Sequence, residues 1–405
     1  MFGKWRRVAE RYGYQEYDAP VLERTELYRM KGSDEIINEQ TYTFEDRGGR
    51  SVTVRTEMTP SVSRMVAAKR QELPYPARWY SIPNLWRYER MQRGRLREFW
   101  QLNVDIFGVE SDAAELEMIQ IVDDIFQAFK AKRSTYTIKI NSRILVGTML
   151  ANMHLSDNQA TAAVRLIDKI HKMEPAKFAE SLDSITGSKD VSRSIVELLQ
   201  ITKIEDLPFR LRETASAKSL QSILSACDAS GIKNIEFDIS LMRGFDYYTD
   251  IVFEVFDNDP ENNRSMFGGG RYNGLVGQFG VEAVPTVGFG MGDVTFRDFL
   301  TTHSLIPRLS SSVDVALLVR DDGLAAAQKV AGELREMGVN TALDSSGKKI
   351  DKQLRAARKS GVKHVIFVGE EDAKEERYTL KNLHNNEENK HSIHRIVSLV
   401  KDSRK

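Results

Sequence analysis

Hydrophobic and polar residues alternate most regularly between positions 85 and 108, in the stretch LWRYERMQRGRLREFWQLNVDIFG. The pattern predicts two β-strands joined by a basic loop, residues 90–97, with Gly94 at the bend. Because side chains alternate across a strand, the second strand is predicted to have an apolar face and a polar face. The apolar face comprises Trp100, Leu102, Val104 and Ile106, and the polar face comprises Phe99, Gln101, Asn103 and Asp105.

This polar face has two interpretations. A solvated surface is the common one for a strand that alternates in this way. The face nevertheless has few lysines and several short hydrogen-bonding groups, and Arg87 and Glu89 project together from the preceding strand. These features favour a surface that binds a ligand.

Two other stretches also combine a predicted strand with clustered polar groups. Strands 41–44 and 51–57 form a predicted hairpin, with Arg55 and Glu57 on one face of its second strand. Strands 234–241 and 250–256 bracket the second cluster, which is formed by Arg243, Asp246, Tyr247 and Tyr248. Three clusters of this kind strengthen the ligand-binding interpretation.

The remaining pattern separates the chain into regions of different character. Helices are predicted at 2–12, 60–70 and 112–130, and strands at 14–22 and 136–140. Residues 143–230 form a run of helical segments without a strong strand, which indicates an inserted helical subdomain. From 313 onward strands alternate with helices, which indicates a small α/β domain. The predicted elements there are strands 313–319, 341–344 and 365–368 and helices 323–337, 347–360 and 391–402.

A chain of 405 residues is long enough for two or three domains. We predict an α+β catalytic domain in two parts, a helical insertion between them, and an α/β domain after a polar linker. The predicted boundaries are 1–142, 143–230, 231–303, 304–312 for the linker, and 313–405.

Glycines cluster in two places, and their role stays open at this point. Residues 268–274 are predicted to form a glycine-rich turn, and Gly288, Gly290 and Gly292 precede a predicted helix that ends near residue 301. Such a spacing before a helix is compatible with a phosphate-binding loop, but the βαβ context of a dinucleotide fold is missing. The alternative is that the glycines let the helix pack closely on a sheet.

Composition adds several restrictions. The formal net charge is zero, so a nucleic-acid partner requires a local basic patch. A single cysteine, Cys227, excludes an internal disulfide and a multi-cysteine zinc site, and no motif indicates a protein-bound metal. The amino terminus has no signal-peptide core, and no segment has the apolar length of a membrane span, so a cytoplasmic location is expected.

One local basic patch is present in the predicted helix 347–360. It carries Lys348, Lys349, Lys352, Arg355, Arg358 and Lys359, and a single acid, Asp351, dilutes it. A solvated helix face is the ordinary meaning of such a run. Contact with an RNA backbone is the alternative.

These motifs resemble those of the class II aminoacyl-tRNA synthetases, and specifically of the histidyl-tRNA synthetase family. Pro20 and the helix before it resemble the first class motif, and residues 85–108 resemble the second. RGFDYYTD at 243–250 and GGGRYNGL at 268–275 resemble the two histidine-specific motifs. The carboxy-terminal region is similar to the anticodon-binding domain of the family.

The resemblance implies a six-stranded antiparallel sheet with flanking helices, and ATP-dependent ligation of histidine to tRNA(His) through a histidyl-adenylate. It also implies Mg²⁺ with the ATP, a homodimer and a cytoplasmic enzyme. The residues that match the ATP-contacting positions are Arg87 and Arg243 at the α-phosphate, Phe99 stacked on adenine, and Glu89 at its amino group.

The resemblance also implies which residues hold the other two substrates. The histidine α-amino group would be held by Glu57, Thr59 and Gln101, and the imidazole by Asp105 and Tyr248, with Tyr247 shaping the pocket. Gln92 and Arg93 would meet the tRNA acceptor end, and Lys349, Lys352 and Arg355 are the candidate contacts of the basic helix.

The sequence departs from the family pattern at three places. The family usually has a strand and turn before the first helix, so the chain is expected to be short at that end. Its third motif normally ends in Glu-Arg, where this chain has Val294 and Thr295, and Arg297 is expected on another helix face. Asp105 stands where a glutamate is common.

Two alternatives belong to other functional classes. A non-catalytic paralogue, such as the regulatory subunit of ATP phosphoribosyltransferase, would keep the sheet and sense histidine. That subunit generally lacks the carboxy-terminal domain and the arginine of the 243–250 motif, and this chain has both. An RNA-binding module on an inactive synthetase fold is less consistent with Glu57, Arg87 and Arg243, because converging charges are expensive to retain.

Overall fold

The computed structural model describes residues 1–29, 40–90, 92–170, 173–242, 247–262, 264–307, 311–320 and 323–403. The chain divides into two compact units, Met1–Ile306 and Pro307–Lys405. Within the described ranges, no helix combines the length and apolar character that crossing a bilayer requires.

The helices of the first unit surround its sheets. They are α1 Phe2–Arg11, α2 Thr25–Arg29, α3 Thr59–Lys69, α4 Ala113–Ala128, α5 Arg143–Ala151, α6 Asp157–Ile167, α7 Pro175–Thr186, α8 Lys189–Leu199, α9 Phe209–Arg212, α10 Ala215–Ala229 and α11 Asp293–Thr302. The strands are β1 Gln15–Glu16, β2 Leu22–Arg24, β3 Thr43–Glu45, β4 Ser51–Val54, β5 Ala77–Ser81, β6 Asn84–Trp86, β7 Glu98–Phe107, β8 Tyr136–Ser142, β9 Ile235–Phe237, β10 Ile251–Asp257, β11 Ser265–Arg271 and β12 Thr286–Gly292.

A nine-stranded sheet forms the centre of the first unit. Its order is β1-β5-β7-β12-β11-β10-β8-β9, and β6 pairs with β7 at one end. The six strands from β5 to β8 in this order pair antiparallel, whereas β1 and β9 pair parallel at the two edges. The predicted α+β class with an antiparallel sheet is confirmed, and the two parallel edge strands are additions to it.

The large core lies on one face of this sheet. Leu102, Val104 and Ile106 are buried there as predicted, against α1 and α4, and Val287 and Phe289 of β12 join them. Trp100 departs from the prediction because it is 37% exposed at the beginning of β7, where its ring contacts Phe2. The opposite face is therefore the polar one, as the alternation along 99–105 predicted.

Two predictions of local structure were wrong. Residues 14–22 do not form one strand: the chain leaves the large sheet after Glu16, passes Pro20, which cannot donate a ladder hydrogen bond, and joins a separate sheet at Leu22. Residues 268–271 are not part of a turn, because they complete strand β11. The glycines at 288–292 likewise lie in strand β12, and α11 begins immediately after them.

The separate three-stranded sheet has the order β2-β4-β3. Its hairpin β3–β4 corresponds to the one predicted from strands 41–44 and 51–57. Leu22 and Phe44 are exposed on it, at 46% and 48%. The small sheet leads directly to Glu57 and to α3, in which Pro60 occupies the first turn.

The second unit is a five-stranded α/β domain, as predicted for this region. Its strands are β13 Val315–Val319, β14 Thr341–Asp344, β15 His364–Val368, β16 Tyr378–Asn382 and β17 Glu388–His391, in the order β14-β13-β15-β16-β17. Its helices are α12 Leu324–Glu336, α13 Ile350–Lys359, α14 Glu370–Glu375 and α15 Ile393–Asp402. The β16–β17 hairpin and α14 were not predicted.

Candidate active site

A cavity of about 220 Å³ opens on the polar face of the large sheet. Seven residues singled out from the sequence line it together: Glu57, Thr59, Arg87, Gln101, Asp105, Tyr247 and Tyr248. They come from four separate stretches of the chain, from the end of the small sheet, from β6 and β7, and from the link before β10. The fold therefore brings the polar clusters to one surface.

Glycines form the floor of this cavity. Two rows of paired residues cross the sheet there, Glu254–Gly268–Gly290–Asn103–Ser81 and Val252–Gly270–Gly288–Asp105–Trp79. In each row the two central strands contribute glycine, so the sheet is hollow between larger side chains. Gly288 and Gly290 are thus strand residues beside Asp105 and Gln101, and they form neither a phosphate-binding loop nor a contact with the following helix.

Glu57 lies at one wall of the cavity and is 3% exposed. Its carboxylate accepts a hydrogen bond from the Tyr247 hydroxyl at 3.1 Å, and that hydroxyl lies 3.4 Å from the Thr59 hydroxyl. Burial raises the pKa of Glu57 to about 7, although the Arg87 charge and the Tyr247 hydrogen bond act in the opposite direction. A ligand that brings a positive charge to Glu57 would restore the ionised form.

The raised pKa makes the stability of the protein depend on pH through Glu57. A carboxyl with pKa 4.5 in the unfolded chain and about 7 in the fold contributes its stability below pH 4.5 and loses it as pH rises to 7. We expect Glu57→Gln to remove this loss. The free energy of unfolding of the variant, measured with urea and relative to that of the unmodified protein, should increase by up to about 3 kcal/mol from pH 5 to pH 8.

Comparing the two proteins at pH 5 and again at pH 8 cancels effects of the substitution that do not depend on pH, such as an altered hydrogen bond to Tyr247. Glu180→Gln, at an exposed position in α7, is the matched control and should follow the unmodified protein at both pH values. A difference between Glu57→Gln and the unmodified protein that stays constant from pH 5 to pH 8 would contradict the raised pKa.

Asp105 lines the cavity from β7 and is 3% exposed. It accepts a short hydrogen bond from the Tyr272 hydroxyl, which comes from the link after β11. Burial raises the pKa of Asp105 to about 7, while the Tyr272 hydrogen bond lowers it. The rings of Tyr247, Tyr248 and Tyr272 pack against one another there, with centroids 5.0–6.3 Å apart.

Arg87 follows β6 and also lines the cavity. Its Nε donates to the Thr56 carbonyl at 3.0 Å, and its guanidinium carbon lies 5.4 Å from the centroid of the Phe99 ring. Phe99 is half-buried on the neighbouring strand. Arg87 and Phe99 therefore place a planar cation beside an aromatic face, a combination suited to a phosphate and a nucleotide base.

Of the predicted nucleotide contacts that the structure describes, Glu89 and Phe99 do not line the cavity. Glu89 lies just past Arg87, where its carboxylate forms an ion pair with Arg95 at 3.2 Å. Arg243 lies outside the described residues, so its position relative to the cavity is left as predicted from the sequence. Gln92 and Arg93 are exposed in the loop between β6 and β7.

Several lining residues were not assigned a role from the sequence. They are Asn103, Phe253, Glu254, Ser265, Phe267 and Tyr272, together with the glycines at 268, 269, 288 and 290. For β12 a signal was available, because apolar residues alternate with glycines in TVGFGMG as in a half-buried strand. Tyr272 had no such signal, since it lies in a glycine-rich run typical of a turn.

The altered third motif lies beside this site. Val294 is buried, and the Thr295 hydroxyl donates to the Met266 carbonyl at 2.9 Å. The Thr295 methyl group lies 3.6 Å from the position that a Cβ on Gly94 would occupy. Arg297 is exposed on a different face of α11, as expected from its spacing.

Known proteins match this chain over most of its length. A family model described as histidyl-tRNA synthetase matches residues 1–292, and one described as an anticodon binding domain matches residues 312–403. A histidine–tRNA ligase of Leptospira biflexa is 40% identical over 389 residues, which cover 95% of this chain and 89% of the relative. That of Natronomonas pharaonis is 36% identical over 93% of this chain and 87% of the relative.

Solved structures match the fold as well. A histidyl-tRNA synthetase from a Nostoc species superposes with a TM-score of 0.84 at 22% identity, covering 99% of this chain and 94% of that one. A Bacillus halodurans protein described as an ATP phosphoribosyltransferase regulatory subunit/histidyl-tRNA synthetase superposes with a TM-score of 0.71 at 21% identity, covering 90% and 92%. At these identities the superpositions establish the fold alone.

Proposed function

Because this chain belongs to the histidyl-tRNA synthetase family, we propose that it joins histidine to tRNA(His) in two steps that consume ATP. The observation that carries the proposal is the single cavity in which Glu57, Arg87, Gln101 and Asp105 converge. In the first step the histidine carboxylate attacks the α-phosphorus of ATP and pyrophosphate leaves. In the second a terminal ribose hydroxyl of the tRNA attacks the histidyl-adenylate and AMP leaves.

Electrostatic stabilisation suffices for the first step. The histidine carboxylate is already a nucleophile, so no general base is required. Negative charge accumulates on the five-coordinate phosphorus and on the leaving pyrophosphate. Arg87 presents the guanidinium that matches these oxygens, and Arg243 is proposed by family resemblance to approach from the other side.

The nucleotide would lie at the Arg87 end of the cavity. Phe99 is proposed to stack on the adenine, since its ring already flanks the Arg87 guanidinium at 5.4 Å. Glu89 is proposed to accept from the adenine amino group, which requires release of its ion pair with Arg95. Mg²⁺ is proposed to arrive with the ATP phosphates, because it binds through substrate phosphates and few carboxylates.

Histidine would lie at the other end. The ionised Glu57, Thr59 and Gln101 are proposed to hold the α-ammonium group, while Asp105 and Tyr248 receive the imidazole and Tyr247 supports Glu57. A site of this kind selects strongly, because an amino acid without ring nitrogens would leave a buried carboxyl unpaired.

The tRNA is proposed to contact both units. Gln92 and Arg93, exposed after β6, are placed to meet its acceptor end. In the second unit Lys349, Lys352 and Arg355 lie at the beginning and along the first turns of α13, and all three side chains project from its surface. The unit is proposed to bind the anticodon, and residues 143–230 to form a helical insertion within the catalytic domain.

The α13 contacts can be tested without touching the catalytic unit. We expect Lys352→Glu with Arg355→Glu to weaken tRNA charging about tenfold or more at physiological salt, because two phosphate contacts become repulsive. Histidine-dependent pyrophosphate exchange should be unchanged. Charging kinetics over a range of salt concentrations should show a shallower salt dependence in the variant.

The exposed Lys329→Glu and Lys374→Glu substitutions, made together on α12 and α14, are the matched control, with the same change of charge on other helices. Equal losses in the control and the α13 variant would assign the effect to overall charge. Unchanged charging by the α13 variant would remove this helix from the tRNA contact.

A homodimer that works in the cytoplasm, where tRNA is charged, is proposed with the function. Its support is the small sheet, where Leu22 and Phe44 are large exposed apolar residues beside the segment that resembles the first class motif. Apolar residues exposed together on one sheet are typical of an interface.

Aminoacylation is the experiment that tests the proposed function. Purified protein with ATP, Mg²⁺ and total tRNA is expected to attach labelled histidine, and no other amino acid, to tRNA(His). Histidine binding without any charging of tRNA would instead support the regulatory paralogue, whose described relative shares this fold.

A further inference from the structure

Gly288 and Gly290 of β12 face the cavity directly beside β7. A Cβ added at Gly290 would lie 2.7 Å from Gln101 Nε2, and one added at Gly288 would lie 2.1 Å from Asp105 Oδ1. Both distances are far below a van der Waals contact. The Gln101 amide and the Asp105 carboxylate therefore occupy the space that a side chain on β12 would fill.

We propose that Gly288 and Gly290 are positioning residues for amino-acid recognition, because their missing side chains form sockets for Asp105 and Gln101. The inference rests on the proposed function, since it takes these two side chains as groups that bind histidine. The glycines contribute no functional group of their own. They set how deeply the two side chains lie against the sheet, and hence how much of the cavity is left for the amino acid.

The atoms around the four floor glycines show which of them are required by close packing of the strands and which by a neighbouring side chain. At Gly268 and Gly270 the nearest atom to an added Cβ is a backbone carbonyl oxygen, Phe253 O at 2.6 Å and Ile251 O at 2.5 Å. A side chain at either position would push two strands apart. Their identity as glycine is explained by the fold.

Gly290 differs because the three atoms nearest to its added Cβ all belong to one side chain. Nε2, Cδ and Oε1 of Gln101 lie at 2.7, 3.0 and 3.3 Å. The Gln101 side chain can rotate away from the sheet, so Gly290→Ala can be accommodated without moving a strand. The amide would then project into the space proposed for the histidine α-ammonium group. A substitution at Gly288 would also meet backbone, because the Val104 carbonyl lies 2.8 Å from its added Cβ, so its effect could not be assigned to one side chain.

We expect Gly290→Ala to raise KM for histidine about 10- to 100-fold in pyrophosphate exchange, with a smaller change in kcat and an unchanged KM for ATP. Gly147→Ala is the matched control, because an added Cβ in α5 meets nothing within 4 Å. It should behave as the unmodified protein. A general loss of packing would lower the unfolding temperature and affect both substrates, whereas a filled socket affects histidine selectively.

A double-mutant cycle identifies the partner. In a Gln101→Ala background the added methyl group meets an empty space, so Gly290→Ala should raise KM for histidine no further. If Gly290→Ala alone fails to fold, folding of the double variant would support the same contact. The inference is overturned by an unchanged KM in Gly290→Ala, by additive effects in the cycle, or by misfolding of both variants.

Failure of the proposed function gives a different result. In that case the unmodified protein would activate no histidine at all. The contact between residues 101 and 290 would still be visible as non-additive unfolding temperatures across the same four proteins.

Discussion

Replacing Arg87 with alanine is expected to slow histidine-dependent pyrophosphate exchange by about 10²–10³-fold in kcat. Arg87 is held before the reaction by its bond to the Thr56 carbonyl and by the Phe99 ring, so we expect it to stabilise phosphorus-centred charge without reorganising. Arg87→Lys keeps the charge but loses the planar fork, and we expect it to recover only part of the rate.

The measurement separates chemistry from binding. Arg87 lowers the pKa of Glu57, so its removal also favours the protonated carboxyl. Glu57 of the unmodified protein is largely ionised at pH 8, and a bound α-ammonium group favours the ionised form in the variant as well. Histidine affinity measured there by calorimetry should therefore stay within a few-fold of that of the unmodified protein. Arg165→Ala, exposed on α6, is the control. A variant of Arg87 with a normal kcat would remove this residue from the chemistry.

Asp105→Asn is expected to cost about 2–4 kcal/mol of histidine binding, or roughly 30- to 10³-fold in KM, with little change in KM for ATP. The carboxylate is buried in the cavity wall, where we expect its charge to strengthen a hydrogen bond from the imidazole. The amide has nearly the same shape and keeps an acceptor for Tyr272. The loss of histidine affinity would therefore measure the effect of the Asp105 charge more than an effect on packing.

Selectivity and pH provide the second half of this test. The unmodified protein should bind histidine more tightly as pH rises through about 7, because Glu57 and Asp105 must both ionise. Asp105→Asn should flatten that rise and discriminate less against phenylalanine. The exposed Asp206→Asn should do neither. An unchanged KM and an unchanged pH profile in Asp105→Asn would place the imidazole elsewhere.

The central hairpin could be predicted because the features that form it lie close together in the sequence. Alternation from residue 99 to 106 separates core from cavity, and a loop with Gly94 at positive φ closes the turn. The site residues on it, Gln101 and Asp105, follow from the same alternation. Their partners do not, since Tyr272 reaches Asp105 across 167 positions of sequence.

The glycine-rich strands were missed because glycine has low strand propensity and marks turns in most sequences. Here backbone pairing holds β11 to β10 and β12, and Val287 and Phe289 anchor the opposite face in the core. Tertiary packing thus overrides the local preference. The hollow it creates is what a ligand-binding sheet requires, so the wrong prediction fell on functional residues.

The division of residues 14–24 between two sheets also depends on the whole fold. Local pattern predicts a single strand because polar and apolar residues continue past Pro20. The buried Arg55 guanidinium donates to the Ala19 carbonyl and to Asn84, which draws this segment toward the entrance of β6. A contact between residues 36 positions apart cannot be found from periodicity.

Exchange of labelled pyrophosphate into ATP, measured with each standard amino acid in turn, tests most directly whether one sheet surface binds histidine and a nucleotide together. The convergence of Glu57, Arg87, Gln101 and Asp105 predicts exchange with histidine alone, and its loss in Arg87→Ala. No exchange with histidine, or equal exchange with another amino acid, would contradict the account.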